Sequence, residues 1–216
     1  YSTCLCNNVV NSMLLFDRHH QFTNLQHQYD VAYPIQLQRN IVDKNRALLR
    51  GKIPSYFGQI EKALLRHDLV SVNHRIAAFL ASYFDILFAV NQLKHPGEKK
   101  ILKQQAALLP DNMETQITEI LRLSASGSGE LLSLLNTLIE TLDLLLIQSG
   151  FNIRPVTVDH TAHRLLQDAG LNSTDLQPDN TRLWGYFTGE KLTGIIGLEC
   201  YGNIALLRSL AVHETE

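Results

Sequence analysis

The sequence predicts an α+β chain in two parts. An N-terminal antiparallel helical bundle covers residues 1–149, and a truncated mixed sheet with one or two helices covers 151–216. Three observations predict this. Apolar residues recur at helical spacing almost without interruption over 34–149. After Gly150 the spacing changes to short, partly alternating runs separated by tight turns. The connections between the long striped segments are short, as antiparallel neighbours require.

Pro34 suits the first turn of a helix running to about Arg50, where Gly51 stops it. Pro54 opens a second helix through His67. The third segment carries the clearest signal. Leu69, Val72, Ile76, Phe79, Leu80, Tyr83, Leu87 and Val90 fall on one stripe, and Phe84, Ile86 and Phe88 widen it, which makes this helix central. His95-Pro96-Gly97 breaks the chain, and a shorter helix is expected over 98–109. Pro110-Asp111-Asn112 opens another, with Ile117, Ile120 and Leu121 inward. Residues 124–129 read as a flexible turn rich in serine and glycine. The last helix of the bundle places Leu131, Leu134, Leu135, Leu138, Leu142, Leu145 and Leu146 on one side, as its own core or as a seam for a partner.

In the second part, 151–156 reads as a strand and Thr157 as the cap of the next helix, with Asp159 in the first turn favouring the positive dipole end. Ala162, Leu165, Leu166 and Ala169 form the buried stripe and Gly170 the stop. A strand over 183–188, a turn at Gly189-Glu190-Lys191 and a return strand over 192–200 follow. Tyr201-Gly202-Asn203 then turns the chain into a strand over 204–212.

Composition excludes several classes. The 19 Lys and Arg against 21 Asp and Glu leave a formal net charge of -2 and no basic excess to neutralise phosphates, so no nucleic-acid partner is expected. With 45% hydrophobic and 19% charged residues, wholesale disorder is not expected. No uninterrupted apolar stretch reaches the roughly 18 residues of a membrane span. Cys4, Cys6 and Cys200 make no closed disulfide framework, and residues 1–12 lack a basic start before an apolar run, so a reducing, cytoplasmic setting is expected. The chain opens on Tyr1 rather than Met and is expected to be a fragment of a longer protein.

Several tempting constellations are bland. His19, His20 and His27 fit no strong zinc spacing and read as a polar surface loop, so no metal site is expected. Gly127 and Gly129 lack the Lys-Ser/Thr that completes a phosphate loop. Trp184 reads as a packing residue on a sheet face.

Other residues carry a resemblance. Ile153-Arg154-Pro155 opening a strand and a helix ending Ala169-Gly170-Leu171 fit one pattern. Thr193-Gly194-Ile195-Ile196-Gly197-Leu198-Glu199 and Leu207-Arg208-Ser209-Leu210-Ala211-Val212 fit it best. Together, residues 153–212 resemble the first half of a GNAT-family N-acetyltransferase, and most of all its arsenic-resistance-linked branch. The resemblance implies acetyl-CoA as cofactor. In it the strand over 204–212 splays from its neighbour, and free backbone groups at Leu210, Ala211 and Val212 pair with the pantetheine arm. It also implies a phosphate-binding turn, Arg/Gln-x-x-Gly-x-Gly, soon after Val212, and residues 213–216 do not begin one. Glu199 is the candidate base for the attacking amine, directly or through water, against the alternative of a solvated strand-end glutamate. His213 is a weaker proton acceptor, and Arg208 either touches a ligand or pairs with Glu199 across the hairpin.

A second resemblance covers residues 14–109. Leu14-Leu15-Phe16-Asp17, Tyr33-Pro34, Arg66-His67-Asp68 and Phe88-Ala89-Val90-Asn91 are similar to the C-terminal helical region of nucleotidyltransferase-like proteins. So is His95-Pro96-Gly97-Glu98-Lys99. The resemblance implies Asn91, Glu98 and Lys99 as residues near substrate or nucleotide. The alternative is a helix cap at Asn91 and an exposed first turn at Glu98 and Lys99. Nucleotidyl transfer also needs paired carboxylates for Mg²⁺, and no Asp-x-Asp occurs, so Mg²⁺ is expected only with a further domain upstream.

The leading expectation is therefore a piece of a fusion protein whose C-terminal part transfers acetyl from acetyl-CoA to a small-molecule amine. The alternatives are the substrate-binding half of a nucleotidyltransferase and a non-enzymatic remnant or interaction module. Neither the acceptor nor the oligomeric state is legible.

Overall fold

The structure is a computed structural model, and it describes residues 3–51, 54–99, 101–104, 112–173, 180–188 and 191–213. The chain forms two compact units, Tyr1–Leu142 and Asp143–Glu216. The fold is α+β, with helices preceding an antiparallel sheet. No helix among the described residues is long and apolar enough to cross a membrane.

The first unit opens with α1 (Cys4–Val10) and α2 (Gln21–Tyr29), two helices that the periodicity does not reveal. Neither buries a residue, so neither carries a stripe. Polar side chains hold them instead. The Gln26 amide donates to the carbonyls of Val9 at 2.9 Å and Ser12 at 2.8 Å, and the Asp17 carboxylate accepts from the Thr23 N–H at 2.8 Å and hydroxyl at 2.9 Å. His27, expected in a loop, lies on α2.

α3 (Ile35–Arg50), α4 (Tyr56–Leu65) and α5 (Leu69–Val90) follow the expected order. α5 is the centre of the unit: Val72, Ile76, Phe79, Tyr83, Ile86 and Leu87 are fully buried, and α3, α4 and α7 (Met113–Ser126) pack against it. α3 presents Ile41, Val42, Asn45 and Leu49 inward. Its Gln38 amide reaches the carbonyls of Ala89 at 3.0 Å and Val90 at 3.2 Å at the end of α5, the first of which also accepts from the Gln92 N–H. A left-handed Gln92 (φ 55°) then turns the chain, and the Leu93 N–H closes on the Phe88 carbonyl.

α6 covers Ile101–Gln104; the helix expected over 98–109 does not include Glu98 and Lys99, which form a bend and a turn, while residues 100 and 105–109 and the opening at Pro110-Asp111 fall outside the described residues. The flexible turn expected over 124–129 is shorter than that. α7 runs through Ser126, and the Ser124 and Ser126 hydroxyls are satisfied within it by the carbonyls of Leu121 and Leu123. Gly127 (φ 67°) ends the helix. In α8 (Glu130–Gln148) the leucine stripe is covered within the chain: Leu131, Leu135, Leu138, Leu142 and Leu146 are buried. The two units divide within α8, a few residues before the change of texture at 149–151.

The second unit contains β1 (Ile153–Val156), α9 (His160–Asp168), β2 (Thr181–Thr188), β3 (Lys191–Tyr201) and β4 (Ile204–Val212). The sheet order is β1-β2-β3-β4, and every pairing among the described strands is antiparallel, in keeping with the hairpin-linked strands that the sequence predicts. Asp159, not Thr157, caps α9. Its carboxylate accepts from the N–H groups of Thr161 at 2.9 Å and Ala162 at 3.0 Å, which places it before the first turn and not within it. α9 buries Ala162, Leu165 and Leu166 against Leu183, Ile195 and Ala211.

Replacing Phe79 with alanine leaves a cavity at the centre of α5 and costs the helical unit about 3–5 kcal/mol. Asp159→Ala removes a single cap and costs the second unit about 1 kcal/mol. Urea titrations followed by circular dichroism measure both.

Candidate functional site

The irregular part of the sheet is the β3–β4 hairpin. The register pairs Ile195 with Ala211 and Gly197 with Arg208, so Ser209 and Leu210 together stand opposite Ile196. That extra residue is a β-bulge, which interrupts the ladder and re-aims the strand. Ser209 takes a left-handed φ of 59°, rare for a side chain other than glycine. Gly197 makes the close approach possible. A Cβ there would lie 2.9 Å from Leu183 Cδ2 and 3.2 Å from the Arg208 carbonyl oxygen.

β4 is an edge strand, and its outer side pairs with no described strand. The His213 N–H donates to the Thr193 carbonyl at 2.7 Å. Antiparallel alternation therefore turns the N–H and C=O of Val212 away from β3, toward the open edge. Of the three residues expected to receive a pantetheine arm, Ala211 is buried beneath α9, while Leu210 and Val212 are 62% and 68% exposed.

The pleat separates two faces. Gly197 and Glu199 share the α9 side with Leu183 and Ile195, whereas Trp184, Tyr186, Gly194, Ile196 and Val212 share the other. On the α9 side the Glu199 carboxylate accepts from Arg208 Nη1 at 2.6 Å, with both side chains largely covered. It also hydrogen-bonds the Tyr201 hydroxyl, which raises that phenol above its ordinary value. Of the two readings of Arg208, the pairing across the hairpin is the one the geometry shows.

On the opposite face a cavity of about 340 Å³ opens over Gly194. Trp184, Tyr186, Ile196, Leu210 and Val212 stand around it, and its lining is almost wholly apolar. Trp184, expected to pack on a sheet face, stands at this cavity, and neither cavity nor bulge is legible in the hydrophobic pattern. A signal was present: a strand-interior glycine marks a bulge or a close approach, and β3 carries Gly194 and Gly197.

The helical unit treats its candidates differently. The Asn91 amide donates to the Leu87 carbonyl at 2.8 Å, within its own helix end, and Glu98 and Lys99 are exposed. The buried group here is His95, 1% exposed, which the sequence reading uses only as part of a chain break. Its backbone N–H donates to the Thr3 hydroxyl at 2.8 Å, its Nδ1 accepts from the Gly97 N–H at 2.9 Å, and Phe88 lies edge-on to the ring. Its Nε2 is 4.0 Å from Asp85 Oδ1. Burial holds the imidazole below its ordinary pKa, opposed by the charges of Asp85 and Glu98. Among the described residues no group of three or more His, Cys, Asp or Glu is placed to hold a metal ion.

A histidine held neutral by burial binds fewer protons folded than unfolded. Its stabilising effect is complete above the ordinary value of 6.5 and falls as pH drops below it. The urea midpoint of the helical unit accordingly falls between pH 7 and pH 5, and His95→Gln flattens that fall. In the second unit, Glu199→Ala leaves the partly covered Arg208 without this acceptor and costs on the order of 1–3 kcal/mol in the same assay. No protein-family model, curated protein or solved structure matches the chain.

Proposed function

We propose that residues 151–216 are part of a GNAT-type N-acetyltransferase that moves acetyl from acetyl-CoA to the amine of a small molecule in the cytoplasm. The bulge at Ser209 and Leu210 in an edge strand is the observation that carries the reading. A thioester donor needs an extended backbone to pair with its amide-bearing arm, and open N–H groups to meet the oxygen that gains charge. The outward groups of Val212 suit the first need. The interrupted ladder at Leu210 suits the second, as donors placed before the reaction stabilise the tetrahedral oxyanion. Free thiols at Cys4, Cys6 and Cys200 fit a reducing compartment.

In this reading the amine attacks the thioester carbonyl carbon, the C–N bond forms as the C–S bond breaks, and CoA leaves as its thiol. Glu199, bonded to Arg208 and Tyr201 on the α9 face, acts as a positioning residue. It anchors Arg208, the residue that enters the bulge. A proton from the amine reaches Glu199 only through water.

One observation favours a non-enzymatic alternative. Ile204, Leu206, Leu207, Leu210 and Val212 are all exposed along β4, and an unpaired apolar edge invites another strand. The two readings use the same edge and separate experimentally. Calorimetric titration with acetyl-CoA is expected to show binding, and amine-dependent loss of the thioester is expected to follow. Val212→Pro removes one outward N–H without touching the β3 ladder and weakens that binding about fivefold, the worth of roughly one hydrogen bond. No acetyl-CoA binding, together with self-association in sedimentation that Val212→Pro abolishes, would make β4 an assembly edge instead.

A further inference from the structure

Gly194 is a glycine that its own backbone does not require. Its φ lies outside the left-handed region that glycine favours. A Cβ there would meet Tyr186 Cβ at 3.4 Å, the Ala211 carbonyl oxygen at 3.5 Å and Val212 Cγ2 at 3.8 Å, all near ordinary contact. An alanine would fit and would suit a strand better, since a strand-interior glycine loses more conformational freedom on folding. What the missing side chain does leave is the floor of the 340 Å³ cavity, with Trp184 and Tyr186 beside it on β2. Strand glycines of this kind accompany close approach of a ligand.

The chemistry of the cavity restricts that ligand. No charged side chain lines it among the described residues. The nearby ion pair of the same hairpin, Glu199 with Arg208, lies on the other face and is satisfied there. An ammonium ion in the cavity would lose much of its water and gain only the ring faces of Trp184 and Tyr186 in return, with no carboxylate among the described residues to offset its charge. A neutral aromatic ring loses nothing of the kind and gains contact with two aromatic side chains.

We propose that the cavity over Gly194 is the acceptor subsite of the acetyl transfer, and that it takes a flat, uncharged aromatic amine. This rests on the acetyltransferase reading of β4. Leu210, Ala211 and Val212 line the cavity and are also the residues set against the donor, so ring and thioester meet at one strand. The proton inventory is simple. An aromatic amine is already a free base at neutral pH, because its lone pair is shared with the ring. Its nitrogen attacks the acetyl carbon, the C–S electron pair leaves on sulfur, one N–H proton passes to water, and the thiolate takes a proton from water. No carboxylate is needed on the cavity face, and none is there among the described residues.

Trp184 is the single tryptophan of the chain and reports on the cavity directly. The full chain is titrated with 4-bromoaniline, whose heavy atom quenches tryptophan emission. Acetyl-CoA consumption is then compared for 4-bromoaniline and 4-bromobenzylamine at pH 7. The expected result is saturable quenching that Gly194→Leu abolishes and Gly194→Ala weakens, with circular dichroism unchanged in the alanine variant. The aniline is acetylated at least about tenfold faster, and the gap narrows as pH rises and the benzylamine loses its proton. Absence of saturable quenching, or quenching equal in all three proteins, overturns the cavity assignment. Faster acetylation of the benzylamine at pH 7 overturns the acceptor class. Saturable, Gly194-dependent quenching without transfer to either amine overturns the acetyltransferase reading and the acceptor role, and leaves a ligand cavity.

Discussion

The helical unit depends on the burial of α5. Over its 22 residues the apolar positions cover more than one face; Tyr83, Phe84, Ile86, Leu87, Phe88 and Ala89 are all buried. A helix apolar on several sides has to be walled in, and α3, α4 and α7 form the walls. Enclosure carries a polar requirement, because the end of α5 leaves carbonyls that water no longer reaches. Gln38 reaches the Ala89 and Val90 carbonyls from α3, the Gln92 N–H also meets Ala89, and the left-handed Gln92 lets the Leu93 N–H close on Phe88. The Tyr83 hydroxyl is enclosed with no hydrogen-bond partner among the described residues, and burial raises that phenol's pKa.

The sheet unit meets the same burial rule on one face only. α9 covers Leu183, Ile195 and Ala211, while the opposite face keeps Trp184, Tyr186, Leu210 and Val212 around an apolar cavity. The hairpin that joins these faces is irregular at a single point. Gly197 lets the Arg208 carbonyl come close, the bulge absorbs the extra residue, and Ser209 carries the unusual φ. Beyond the bulge the strand resumes its alternation, so Ala211 packs inward and Val212 presents its backbone to the open edge. The outward backbone of Val212 and the apolar cavity on the face opposite α9 are thus two consequences of one strand.

Much of this architecture was legible as period and punctuation. The α5 stripe from Val72 onward, the leucines of α8, Gly170 as the end of α9 and the β3–β4 turn at Gly202 are local signals and stand where the spacing puts them, whereas Leu69 at the start of that stripe is exposed. The failures have a common origin. α1 and α2 bury nothing of their own, so they have no stripe to read, and their anchors come from Gln26 and Asp17. The cap of α9 was shifted by two residues because both Thr157 and Asp159 are capping types, and only geometry decides which one reaches the N–H groups. His95 looked like punctuation, yet its burial comes from Thr3, Phe88 and Asp85, none of them its neighbours in sequence.

By itself, the sequence determined the order and kind of the elements from α3 onward, the split between a bundle and a sheet, and most of the inward stripes. Those follow from hydrophobic period and from turn residues, which act over a few positions. Tertiary structure decided the bulge between Gly197 and Ser209 and the commitment of Glu199 to Arg208. It also decided that Gly194 lies under an apolar cavity. Each depends on which strand lies beside which and in what register, and a shift of one residue would send every side chain to the other face.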